Sequence, residues 1–267
     1  MLNKKYSSFK TLLIETNQTC NLNCDFCFYR DYGRISSEIT LNQLKTILNQ
    51  FPNANKFYLT GGECTKNKEI VQIVEYLSGI GEVNIFTNGY LLNTNFETYK
   101  KLENLSTLLF LTVHGTDYGE LKFEDLQNID KSKTVIKINI SLKNYNNIEQ
   151  IINHYINLGF NKFSFNFIHN INSSSCEYEL SDDLKSEILN NLIKFKNFVD
   201  VNNIKFQINS LKDNGLKNTG KCGTEFAYIG CDGKIYNCPS AMDINCTSDC
   251  KTCTKFSKEC ISLWEMF

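Results

Sequence analysis

Proline occurs only twice in the 267 residues (Pro52 and Pro239), tryptophan once (Trp264) and alanine three times (Ala54, Ala227, Ala241). With so little proline, and no Pro-, Ser- or Gly-rich stretch, nothing marks a linker or a disordered tail. Charge of one sign is missing too. The 28 basic and 29 acidic residues leave a net charge of -1, so no global field draws nucleic acid or anionic lipid. No run approaches about eighteen consecutive apolar residues, which excludes a hydrophobic membrane-spanning helix. Leu12-Leu13-Ile14, behind Lys4 and Lys5, is too short for the core of a signal peptide. A cytoplasmic protein is expected. No Ser-His-Asp or paired-carboxylate set stands out, and His154 and His169 read as packed or solvated side chains. The 42% apolar and 21% charged content is ordinary for one large globular domain, or one domain with a small appendage.

What the chain does have is twelve cysteines. Their density is below that of a secreted disulfide scaffold, and no secretion signal accompanies them, so metal binding or redox chemistry is the expectation. Cys20, Cys24 and Cys27 lie close together, and seven more fall between Cys222 and Cys260, while Cys64 and Cys176 stand alone.

Between these clusters the chain alternates strand and helix patterns. Short β-rich runs occur at Thr11–Glu15, Lys56–Leu59, Glu82–Phe86, Thr107–Val113, Val135–Ser141 and Lys162–Phe167. Thr40 is placed to cap a helix carrying Leu41, Leu44, Ile47, Leu48 and Phe51. Ile70, Ile73, Val74 and Leu77 form a second apolar stripe, and Ile148, Ile151, Ile152, Tyr155 and Ile156 a third. Repeated βα units imply a parallel sheet with right-handed crossovers. Six strands are too few for an eight-fold barrel, so the expected fold is α/β, an open, partial (β/α)6 barrel over residues 1–210. A helix near Asp182–Val201 and a strand near Ile204–Asn209 lead to a Cys-rich β-hairpin domain over 211–267. In such folds ligands bind at the carboxyl ends of the strands. Cys20, Thr60-Gly61-Gly62-Glu63, Thr87-Asn88-Gly89, Thr112-Val113-His114-Gly115 and Ser141 all follow strand ends.

Three close thiolates can hold three corners of a four-iron cluster and leave one iron without a protein ligand. A structural zinc site would want a fourth ligand, and no histidine lies near this loop. Cys20-Asn21-Leu22-Asn23-Cys24-Asp25-Phe26-Cys27 resembles the signature of the radical S-adenosylmethionine (SAM) superfamily, with Phe26 as the aromatic residue before the third cysteine. The resemblance implies a 4Fe–4S cluster on Cys20, Cys24 and Cys27 whose open iron binds SAM. Reductive cleavage of SAM then gives a 5'-deoxyadenosyl radical that abstracts hydrogen from substrate, chemistry the cofactor supplies and the protein orients. It also implies SAM contacts from Gly61, Gly62 and Glu63, with the Glu63 carboxylate holding the ammonium. Asn88, Thr112, His114 and Ser141 take the remaining cofactor-binding positions. His114 stands where relatives carry an acid, and Cys64 where a proline usually follows.

Phe226–Cys238 reads as a hairpin with Asp232-Gly233 as a two-residue turn, so that Lys234 faces Cys231. Cys231 and Cys238 then lie about 14 Å apart, too far to share one cluster. The order Cys222, Gly233, Cys238, Cys250, Cys253 resembles the SPASM and twitch extensions of radical SAM enzymes. That resemblance implies one auxiliary 4Fe–4S cluster on Cys222, Cys238, Cys250 and Cys253, with a second using Cys246 and Cys260 as a further option. A zinc knuckle is the competing reading of the same cysteines.

The resemblance leads to an enzyme acting on a ribosomal peptide or protein side chain by cross-linking, epimerisation or oxidation. Cys176 is a candidate hydrogen donor. A flavodoxin- or ferredoxin-type reductant is the expected partner. With nineteen residues before Cys20, a separate leader-binding protein is expected as well. Alternatives are a small-molecule radical SAM dehydrogenase or epimerase acting on a sugar or aminoglycoside, and a non-catalytic iron–sulfur electron carrier.

Overall fold

The computed structural model describes residues 6–24, 26, 27, 29, 36–113, 126–168, 180–199, 205–209 and 226–236. The calls on His114, Cys176, Cys222, Cys238, Cys246, Cys250, Cys253 and Cys260 lie outside these residues. The chain divides into two compact units, one comprising 1–21, 34–109 and 211–262, the other 22–33, 110–210 and 263–267.

In the first unit the strands are β1 (Thr11–Glu15), β2 (Lys56–Thr60), β3 (Glu82–Thr87), β8 (Phe226–Ile229) and β9 (Ile235–Tyr236), in the order β3-β2-β1-β8-β9. Both β2 and β8 run parallel to β1, and β3 runs parallel to β2. Their sequences are nearly continuous apolar runs because both faces are covered: Leu12, Ile14, Phe57, Leu59, Val83 and Ile85 are all fully buried. The helices are α1 (Leu41–Leu48), α2 (Ile70–Ser78), α3 (Tyr90–Thr94) and α4 (Phe96–Leu105). Thr40 starts α1 with a capping box: its hydroxyl accepts from the Gln43 N–H, and the Gln43 side chain accepts from the Thr40 N–H. All four residues of the Ile70–Leu77 stripe are buried.

In the second unit, β5 (Thr134–Ile140), β6 (Lys162–Phe167) and β7 (Lys205–Asn209) are successively parallel. The helices are α5 (Ile148–Asn157) and α6 (Asp182–Val199). Strand β4 (Leu108–Val113) neighbours β5, and its first two residues belong to the first unit. Ile148, Ile152 and Tyr155 of α5 are buried, while Ile151 and Ile156 at the edges of that stripe are half-buried. No pairing joins the terminal strands β7 and β9, so the sheet is open, as in a partial barrel. No described helix is long and apolar enough to cross a membrane.

One register differs from the sequence expectation. The pairs Tyr228↔Tyr236 and Ile229↔Ile235, with Gly230 N–H on Lys234 O at 3.0 Å, leave Cys231-Asp232-Gly233 as a three-residue loop, so Cys231 does not face Lys234. Gly233 takes the left-handed conformation this loop demands (φ +78°). The Asp232 carboxylate accepts from Lys234 N–H at 3.0 Å, and the Cys231 N–H is drawn instead to the Glu15 carboxylate at 3.0 Å.

Candidate active site

In the first unit the site grows from the ends of β1, β2 and β3. Beyond Glu15 the chain continues alongside β2. Thr16 N–H bonds Thr60 O at 2.8 Å, Gly62 N–H bonds Asn17 O at 3.0 Å, and Glu63 N–H bonds Thr19 O at 2.8 Å. This ladder delivers Cys20 to the strand edge. The two glycines make it possible: a Cβ on Gly61 would sit 2.3 Å from Asn17 O, and one on Gly62 would sit 2.5 Å from Thr19 O. Their close approach is to the protein's own backbone, the segment leading into the cysteine loop.

Glu63 is only 1% exposed and accepts four hydrogen bonds. Oε1 takes Thr65 N–H at 3.2 Å, the Thr65 hydroxyl at 2.5 Å and the Thr87 hydroxyl at 2.7 Å, while Oε2 takes Asn88 N–H at 2.7 Å. Burial pushes its carboxyl up, and the bonds from Asn88, Thr65 and Thr87 oppose that. The carboxylate thus ties the end of β2 to the end of β3. Asn88 reaches back from β3, its Nδ2 donating to Asn21 Oδ1 at 3.0 Å and to Cys20 Sγ at 3.6 Å. Asn17, fully buried, donates to Glu63 O at 3.0 Å. Its Oδ1 has no hydrogen-bond partner among the described residues, leaving an acceptor of the kind an ammonium group needs beside the Gly61–Glu63 segment.

Two thiols of this unit are sealed. Cys64 is fully buried and its Sγ donates to Phe86 O at 3.0 Å. Burial, then the Glu63 charge, pushes the thiol well up. Cys231 is 2% exposed, with its thiol raised by burial and then by the charge of Glu15; Ser37 donates to its carbonyl at 2.9 Å. Cys20, Cys24 and Cys27 are half-buried. Because the thiolate is the reactive form, iodoacetamide is expected to modify Cys20, Cys24 and Cys27 in the native, metal-free chain. Cys64 and Cys231 should stay unmodified until denaturant is added, as peptide mass spectrometry would check.

In the second unit, Cys27 N–H bonds Cys24 O at 3.0 Å, closing a turn between two of the three loop cysteines, and Phe26 beside them is half-buried. Among the described residues no three Cys, His, Asp or Glu side chains converge as metal ligands. What fits a cluster is the donor chemistry of the loop, three thiols without a histidine. Thr112 is half-buried on β4. Ser141 is buried and engaged locally: its N–H donates to Asn144 Oδ1 at 2.9 Å and its hydroxyl accepts from Lys143 N–H at 3.2 Å.

Sequence reasoning missed Glu15, Asn17 and Thr87 as members of this network. Glu15 carried a readable signal, a carboxylate ending an otherwise apolar buried strand. Asn17 and Thr87 carried none, because their partners lie 46 and 24 residues away.

A cysteine loop after the first strand of an open parallel sheet, backed by a Gly-Gly-Glu strand end, defines a class. Residues 14–175 match the radical SAM superfamily model, and the chain belongs to that family. Membership implies a 4Fe–4S cluster and SAM as cofactors. Among curated proteins, the probable GTP 3',8-cyclase of Sulfurisphaera tokodaii is 25% identical over 202 residues, 70% of this chain and 64% of that protein. The GTP 3',8-cyclase of Mannheimia succiniciproducens is 29% identical over 161 residues, 52% and 47%. The chain spans less than two thirds of the length of these relatives. Among solved structures, Streptococcus suis SuiB bound to S-adenosylmethionine shares the fold with a TM-score of 0.70 at 17% identity, covering 91% of this chain and 64% of SuiB. The anSMEcpe structure with AdoMet and the Kp18Cys peptide matches with a TM-score of 0.68 at 17% identity, covering 86% of this chain and 74% of that one.

Proposed function

We propose that this radical SAM enzyme acts on a peptide or protein side chain, with cross-linking, epimerisation or oxidation as the outcome. Cys20, Cys24 and Cys27 would hold the cluster. The Gly61–Glu63 segment, Asn17 and Asn88 would shape the SAM site behind it, with Phe26, Thr112, His114 and Ser141 as further cofactor-binding positions. Bound together, cluster and SAM supply a 5'-deoxyadenosyl radical on reduction by a flavodoxin- or ferredoxin-type donor. Cys222, Cys238, Cys250 and Cys253 would carry an auxiliary 4Fe–4S cluster, Cys246 and Cys260 a second, and Cys176 would return hydrogen to a substrate radical.

The observation that carries the peptide reading is coverage. The fold of SuiB bound to the precursor peptide SuiA spans 90% of this chain with a TM-score of 0.68, whereas the GTP 3',8-cyclases align over 70% of it or less. The second reading, a nucleotide substrate, is favoured by the names of those relatives and their 25% and 29% identity.

One experiment separates them. The anaerobically reconstituted enzyme is given SAM, dithionite and either GTP or the short peptide encoded nearest its gene, in heavy water. The expected result is a peptide that loses two hydrogens or gains one deuterium, with GTP untouched. Consumption of GTP with an unaltered peptide would contradict the peptide reading.

A further inference from the structure

The second unit turns two unlike faces outward from one sheet. Ile136, Ile138, Ile140, Phe163, Phe165 and Phe167 alternate onto one face and are all buried, the pattern of a sheet covered by helices. The other face carries polar side chains in ranks. The register pairs Lys137 with Ser164, and Asn139 with Asn166. On β7 it continues to Gln207 opposite Ser164 and to Asn209 opposite Asn166. The asparagine rank is the one nearest the carboxyl ends of these parallel strands, the edge at which α/β sheets bind ligands.

A sheet face meant only for water would leave these groups exposed. Here Ser164 is buried and Lys137, Asn139 and Asn166 are half-buried. Asn166 Nδ2 donates to Asn139 Oδ1 at 3.3 Å, and Asn139 O accepts from Asn144 Nδ2 at 2.9 Å, which fixes both strand ends. Desolvation lowers the Lys137 ammonium to about 8, a cost to be offset by an anionic partner.

We propose that Lys137, Asn139, Ser164 and Asn166 form the substrate-recognition face, where Lys137 takes a carboxylate of a peptide and the Asn139–Asn166 pair takes its main-chain amides. Carboxamides offer donor and acceptor together, which matches a peptide unit. The charge count favours a peptide over a nucleoside triphosphate. The described cations of this face are Lys137 and Lys162, and Lys162 is bound to the Ser132 carbonyl toward the opposite end of the strands. One ammonium suits one carboxylate, whereas a triphosphate is held by several cations or by metal ions.

This inference deepens the peptide reading above and rests on it. The test uses the full reconstituted chain and fluorescein-labelled peptides followed by anisotropy: acetyl-Gly-Gly-Asp-Gly-Gly-amide, its Asn counterpart, and pentaglycine with a free C-terminus. The Asp peptide is expected to bind more tightly than the Asn peptide, and Lys137→Met to weaken it at least about tenfold, the worth of a charged hydrogen bond. Lys137→Arg should retain more of that binding than Lys137→Met. Asn139→Leu with Asn166→Leu should weaken the Asp and Asn peptides alike, and preferential binding of pentaglycine would assign the carboxylate to a C-terminus. The melting temperature of Lys137→Met should not fall, because a desolvated charge has been removed, so lost binding is not lost folding.

Equal binding of Asp and Asn peptides, binding unchanged in Lys137→Met, or displacement of the peptide by GTP would overturn the assignment. The reading above fails separately, when wild-type enzyme converts GTP and leaves peptides unaltered. Peptide modification that is indifferent to Lys137→Met sinks only the present inference.

Discussion

Glu63→Gln should destabilise the protein by about 1–3 kcal/mol, although it changes a single atom, because it leaves buried donors without an acceptor. Each carboxylate oxygen receives a fixed backbone donor, Thr65 N–H on Oε1 and Asn88 N–H on Oε2. Whichever way a glutamine amide turns, its NH2 meets an N–H that cannot rotate away. Glu63→Ala should cost more, about 3–5 kcal/mol, as when one partner of a buried charged network is removed. Urea unfolding of the wild type and both variants checks the order. A carboxylate serving only as a ligand for the SAM ammonium would predict weaker SAM binding in Glu63→Gln with unfolding unchanged, and that pattern would refute the network role.

Gly62→Ala is expected to be nearly as damaging. Its Cβ would meet Thr19 O at 2.5 Å and Gln18 O at 2.6 Å, both backbone atoms that no rotamer change can move. Overpacking of this kind costs about 1–3 kcal/mol and sometimes more. Here the strain falls on the segment that positions Cys20, so the variant should also bind less iron on reconstitution. Gly79→Ala is the control: its Cβ would lie 3.4 Å from the nearest atom, and the residue is already in the right-handed helical region. Such a change is expected to be neutral or to stabilise by about 0.4–1 kcal/mol. Iron content and urea midpoints that stay at wild-type values in Gly62→Ala would show that the loop does not depend on this docking.

The parts of the fold that were legible in the sequence are those governed by local pattern. Six strand runs were readable because buried parallel strands are dense in Val, Ile, Leu and Phe, and each observed strand lies within a residue of its predicted bounds. The α1 start was readable because Thr40 and Gln43 form a capping box within four residues. The placement of β8 was not readable. It pairs in parallel with β1, across more than two hundred residues, and a non-local pairing leaves no periodic trace in either strand. The hairpin register failed for a related reason. Asp-Gly is the usual mark of a two-residue turn, but Glu15 captures the Cys231 N–H and the loop lengthens by one residue. At the site, the motifs were readable as residue types at strand ends. What each residue touches was not, since Gly61 and Gly62 proved to accommodate the chain's own backbone and Ser141 to be engaged in its own turn.

The central claim is that the Cys20–Cys27 loop makes this chain a SAM-cleaving enzyme. The most direct measurement is 5'-deoxyadenosine formed from SAM under anaerobic dithionite, with iron and sulfide counted in the same samples, for the wild type and the Cys20/Cys24/Cys27→Ala variant. The account predicts 5'-deoxyadenosine from the wild type and none above background from the variant, which should lose about four iron and four sulfide per chain. Equal 5'-deoxyadenosine from both, or a variant with undiminished iron and sulfide, would contradict it.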